Sequence, residues 1–85
     1  MTFQIIIKSG YRNYRLNVEH IVINDRVEHF KIIGKNKFIV LESNRPFFRN
    51  KGLKHRKPAF KLIEGEVDYA NSLDVIIQAI MKVVD

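Results

Sequence analysis

Seven of the chain's fifteen Lys and Arg residues lie between Arg45 and Lys61: Arg45, Arg49, Lys51, Lys54, Arg56, Lys57 and Lys61. Phe47, Phe48 and His55 are interleaved with them, and no Asp or Glu stands between Glu42 and Glu64. Lys and Arg in such a run can neutralise phosphates, and the aromatic rings can stack on unpaired bases. Fifteen less seven leaves eight basic residues against nine acidic ones elsewhere, so the formal +6 is a local +7 on a scaffold of −1. A localised field attracts a localised anion, so the expected partner is a nucleic acid or another polyanion. The mix suits single strands or RNA better than a duplex groove, because no recognition helix is visible.

A second reading of the same residues is structural. Phe47 and Phe48 can fold back to cover Phe38 and Val40, leaving the cations solvated as a basic rim. Pro46 and Pro58 bracket the segment, and Asn50 and Gly52 disfavour regular structure, so residues 44–58 are expected to form a long basic loop. Loops of that length in small domains are commonly functional or mobile.

Two other groupings could carry chemistry. Glu19-His20 and Glu28-His29 bring two imidazoles and two carboxylates to one hairpin, a set that can hold a metal or sense pH. The spacing matches no zinc motif, and solvated side chains are the favoured reading, so no metal site is assigned. Glu64, Glu66 and Asp68 form an acidic run that is read as a solvated turn; the alternative is that it docks the basic segment internally. No Ser with a His-acid partner and no phosphate-binding glycine pattern is present, so neither a catalytic residue nor a cofactor is expected.

These residues need a scaffold, and eighty-five residues make one small domain. An apolar fraction of 46% argues against global disorder. The absence of cysteine excludes disulfides, thiolate metal sites and thiol nucleophiles. The first residues lack a charged stretch followed by an apolar run, and no apolar run approaches the ~20 residues of a membrane span, so a cytoplasmic protein without a membrane partner is expected.

Alternation places strands at about 2–8, 14–23, 26–33 and 37–43, with a short fifth at 60–63 that Glu64-Gly65-Glu66 turns or bulges. The fourth is apolar on both faces, Phe38 and Val40 on one and Ile39 and Leu41 on the other, which suits a central strand. A two-residue turn at Asn24-Asp25 would pair residues whose numbers sum to 49, setting Val18 against Lys31. A β-bulge at Glu19-His20 would repair this by bringing Val18 to Phe30 and Leu16 to Ile32, so one is predicted there. Leu73, Ile76, Ile77, Ile80 and Val84 have helical spacing, with Asn71 or Ser72 as cap. Val75, Ala79, Met81 and Val83 widen the apolar surface beyond one stripe.

The expected architecture is α+β: an antiparallel β-meander of four to five strands with one C-terminal α-helix packed on one face. This element order resembles that of small single-strand-binding folds of the PUR and Whirly kinds, in which a β-meander precedes a helix; the resemblance lies in the order alone and carries no residues. Two functions are carried forward. One is a non-enzymatic nucleic-acid-binding module using Arg45, Phe47, Phe48, Arg49, Lys51, Lys54, His55, Arg56, Lys57 and Lys61. The other is a protein-interaction module or homodimer, formed through the helix or the second face of the sheet.

Overall fold

The computed structural model describes residues 1–53, 56–67 and 70–84, without the side chains at 9 and 70–72. Five strands, β1 (Thr2–Ser9), β2 (Arg12–Val22), β3 (Glu28–Ile33), β4 (Phe38–Ser43) and β5 (Phe60–Glu64), form one antiparallel sheet in meander order. A short helix, α1 (Arg45–Asn50), interrupts the β4–β5 connection, and α2 (Ala70–Val84) closes the chain. The class is α+β, as the alternation and the C-terminal periodicity predict. No described helix is long and apolar enough to cross a membrane.

Cross-strand register sorts every strand residue to one of two faces. Ile5, Leu16, Val18, Phe30, Ile32, Ile39, Leu41 and Leu62 share the face that meets Ile76 and Ile80 of α2. Leu73, Ile77, Ala79 and Val84 pack around this core, so the predicted helical stripe is the buried one. Val75 and Val83 remain exposed. The helix begins at Ala70, ahead of Asn71 and Ser72; the capping role expected of those side chains lies outside the described residues. Ile6, Ile21, Phe38 and Ile63, on the opposite face, are exposed.

The β2–β3 register corrects the sequence-based one. Pairing runs unbroken from Asn17↔Ile33 to Val22↔Glu28, a constant sum of 50, so there is no bulge at Glu19-His20. Val18 faces Ile32, and His20 faces Phe30. The reason is the turn. Asn24 Oδ1 accepts hydrogen bonds from the backbone N–H of Arg26 (2.8 Å) and Val27 (2.9 Å), so Ile23–Val27 form a wider connection than two residues. One added residue restores the parity that the bulge was meant to repair. The register shift of the sheet lies instead where β5 passes Val40 and Leu41 of β4, next to Gly65.

Central placement of β4 holds: it pairs with β3 and β5, and Ile39, Val40 and Leu41 are all buried. At the β1–β2 turn, Ser9 pairs with Arg12 across Gly10-Tyr11, and Gly10 alone has positive φ (63°), the pattern of a type II′ hairpin.

Candidate functional site

The segment expected to be an unbroken loop is partly folded. Pro46 stands at the start of α1, where its fixed φ suits a helix and its missing N–H costs nothing. Gly52, at φ +72°, ends the helix in a Schellman motif: its N–H donates to Arg49 O (3.2 Å), and Leu53 N–H donates to Phe48 O (2.8 Å). Asn50 and Gly52, read in the sequence as breakers, therefore close a helix that they do not prevent. Asn44 ties the excursion shut, since its N–H donates to Ala59 O and its Oδ1 accepts from Ala59 N–H at 2.8 Å. Phe47 N–H donates to Arg26 O, and Asn50 Nδ2 donates to Asp25 O, which docks α1 on the β2–β3 connection.

Arg45 is not a surface cation. Its Nε and Nη2 donate to the two carboxylate oxygens of Glu28 at 2.5 and 3.0 Å, and its Nη1 donates to Val84 O at 3.1 Å. Glu28, expected to be solvated, is 1% exposed. Its Oε1 also receives His20 Nε2 at 2.6 Å, and its Oε2 receives Ser43 Oγ at 3.1 Å. Four donors fill the roughly four acceptor positions of a carboxylate. His20 stacks on Phe30 at 4.8 Å, so the network lies in the core face itself. Burial pushes the Glu28 carboxyl up, but the hydrogen bond and charge of Arg45, with the bonds from His20 and Ser43, outweigh it and hold the group below its ordinary range. With its lone pairs occupied and no access to solvent, this carboxylate is a structural hub joining β2, β3, β4, α1 and the end of α2.

His29 lies on the other face, where its Nε2 meets Glu42 Oε2 at 3.0 Å. His20 and His29 thus point to opposite sides of the sheet, and the four-residue hairpin cluster is not assembled. Among the described residues no group of three His, Asp or Glu side chains is arranged to hold a metal ion.

The remaining predicted residues divide by exposure. Phe47 is 36% exposed and meets half-buried Phe48 edge to face at 5.7 Å. Arg49, Lys51, Arg56, Lys57 and Lys61 are exposed, and none forms an ion pair with a described acidic residue. Lys54 and His55 lie outside the described residues. Lys61 stands on β5 opposite Glu42, at the border of the open sheet face. Glu64 and Glu66 lie beside Asn36, Lys37 and Phe38, at the other end of β4 from α1, so they do not dock the basic segment.

Sequence reasoning missed the hub. The available signal was parity: Glu28 is two residues from Phe30 and four from Ile32, on the apolar set of its strand, and a carboxylate there requires a cation. No protein-family model, curated protein or solved structure matches this chain.

Proposed function

We propose that this protein is a non-enzymatic module that binds single-stranded nucleic acid or RNA through the folded excursion between β4 and β5. The observation that carries this reading is the exposure of Phe47 among Arg49, Lys51, Arg56 and Lys57, which have no acidic partner among the described residues. The cations contact backbone phosphates and release counterions, while Phe47 stacks on a base. Lys61, exposed on β5, adds a further cation. Phe48 supports Phe47 from below, and Arg45 holds the excursion in place.

Fluorescence anisotropy with labelled single-stranded DNA and RNA, over a range of salt, tests this. Replacing Arg49, Lys51, Arg56 and Lys57 with Ala flattens the salt slope by about 0.7 per lost phosphate contact, near 3 in total. Phe47→Ala weakens binding by about 1–3 kcal/mol without changing the slope. Absence of binding to either nucleic acid at low salt overturns the proposal.

A second reading is a protein-interaction or self-associating module, favoured by the exposed Ile6, Ile21, Phe38 and Ile63 on the face opposite α2. Light scattering of Phe38→Lys beside the wild type tests that face.

A further inference from the structure

The two edges of the sheet are built differently. β5 is five residues long, carries Lys61 and Glu64, is interrupted by the register shift, and lies between Pro58 and Gly65. These are the devices that keep an edge from pairing with another chain. β1 has eight residues, pairs with β2 without a shift, contains no proline, and carries no charge before Lys8.

The hydrogen bonds locate what that edge presents. His20 N–H donates to Met1 O at 2.8 Å, and the Met1 amino group donates to His20 O. Met1 and His20 therefore form a hydrogen-bonded pair, and such pairs recur at every second residue of an antiparallel ladder. Phe3, Ile5 and Ile7 bond β2, and the N–H and C=O groups of Thr2, Gln4, Ile6 and Lys8 point outward.

We propose that β1 pairs antiparallel with β1 of a second copy, about a twofold axis at Ile5, to make one continuous ten-stranded sheet. Three constraints select this arrangement. A twofold axis normal to the sheet keeps each face on its own side, so paired residues share parity and their numbers sum to an even value. Among even sums, 10 pairs all four outward residues, Thr2 with Lys8 and Gln4 with Ile6. A sum of 8 leaves Lys8 unpaired, and a sum of 12 leaves Thr2 unpaired. The pairing forms about eight main-chain hydrogen bonds, two for each pair. On the core face it sets Phe3 against Ile7 and Ile5 against its own copy, apolar on apolar, and nowhere does it oppose two like charges. Because α2 packs over β1, the two α2 helices flank the seam.

The test is solution mass by light scattering with native-state amide exchange. The wild type is expected near 20 kDa, twice the 10.0 kDa chain, with the amides of Thr2, Gln4, Ile6 and Lys8 protected. Gln4→Pro removes one outward N–H and leaves the exposed apolar side chains intact; it is expected to run as a folded monomer, while Gln4→Ala stays dimeric. A monomeric wild type at 100-fold dilution steps up to about 0.5 mM, or unprotected even-numbered amides in a dimeric wild type, overturns the proposal. So does a dimer that survives Gln4→Pro but falls apart in Phe38→Lys, which would assign the contact to the open face. Should Gln4→Pro fail to fold, wild-type exchange at the even-numbered amides decides alone.

Discussion

Removing one partner of the Glu28–Arg45 pair leaves the other charge buried without its counter-charge. Side chains 1% and 10% exposed place this pair among buried ion pairs, for which such a loss costs roughly 3–5 kcal/mol. An 85-residue domain has on the order of 4–13 kcal/mol in all. Arg45→Met is therefore expected to lower the urea midpoint severely, and Glu28→Leu combined with Arg45→Met to recover much of the loss, because no lone charge remains. A double variant no better than the single one refutes this account. The same pair sets an acid limb. Glu28 has a folded-state pKa below its unfolded value, so its contribution is complete above about pH 4.3 and is lost as pH falls through the lower, folded-state value. Glu28→Gln has no such group, so its stability relative to wild type improves on acidification below pH 4, measured by urea melts at stepped pH.

Gly65 decides how β5 leaves the sheet. Its φ is +90°, and a Cβ there would lie 2.6 Å from Phe38 O and 2.9 Å from Ile39 Cγ2. The backbone oxygen cannot give way cheaply, so Gly65→Ala combines a clash with left-handed strain, each of order 1–3 kcal/mol. Gly52 also has positive φ, but a Cβ there meets nothing within 4 Å. Gly65→Ala is thus expected to lower Tm by more than Gly52→Ala, with about 4–8 °C lost per kcal/mol in a domain of this size. Equal shifts in thermal melts would remove the steric argument. These elements also mark the reach of sequence reasoning. Alternation and helical spacing located β1 to β5 and α2, because burial on one face is written directly in residue type. The β2–β3 register escaped because Asn24 widens the turn through its side chain, and turn width is not recorded in apolar periodicity. α1 escaped because Gly52 serves equally as a helix breaker and as a Schellman terminator. Of the candidate site, Arg49, Lys51, Arg56 and Lys57 were legible as surface cations, whereas Arg45 has the same chemistry and only the fold assigns it to Glu28.

Charge is distributed along the sheet, with the basic excursion at the Ser43 end of β4 and Glu64 and Glu66 beside Phe38 at the other. Five steps along β4 at about 3.4 Å put these ends about 17 Å apart, roughly two Debye lengths at physiological salt. Over that distance, exposed charges barely feel one another. Arg45 is already neutralised by Glu28, so the remaining cations near α1 are the exposed ones, and at that distance Glu64 and Glu66 do not offset them. Reversing both acids, Glu64→Lys with Glu66→Lys, raises the net charge by four yet leaves the excursion as it was. If binding depended on total charge, polyanion affinity would rise steeply and the salt slope would steepen. If binding is local, affinity for a single-stranded oligonucleotide at 150 mM salt changes by less than about threefold and the slope stays constant. The local outcome is expected, and anisotropy titrations of the double reversal beside the wild type distinguish the two; a rise of tenfold or more would show that the acidic end screens or occupies the basic one.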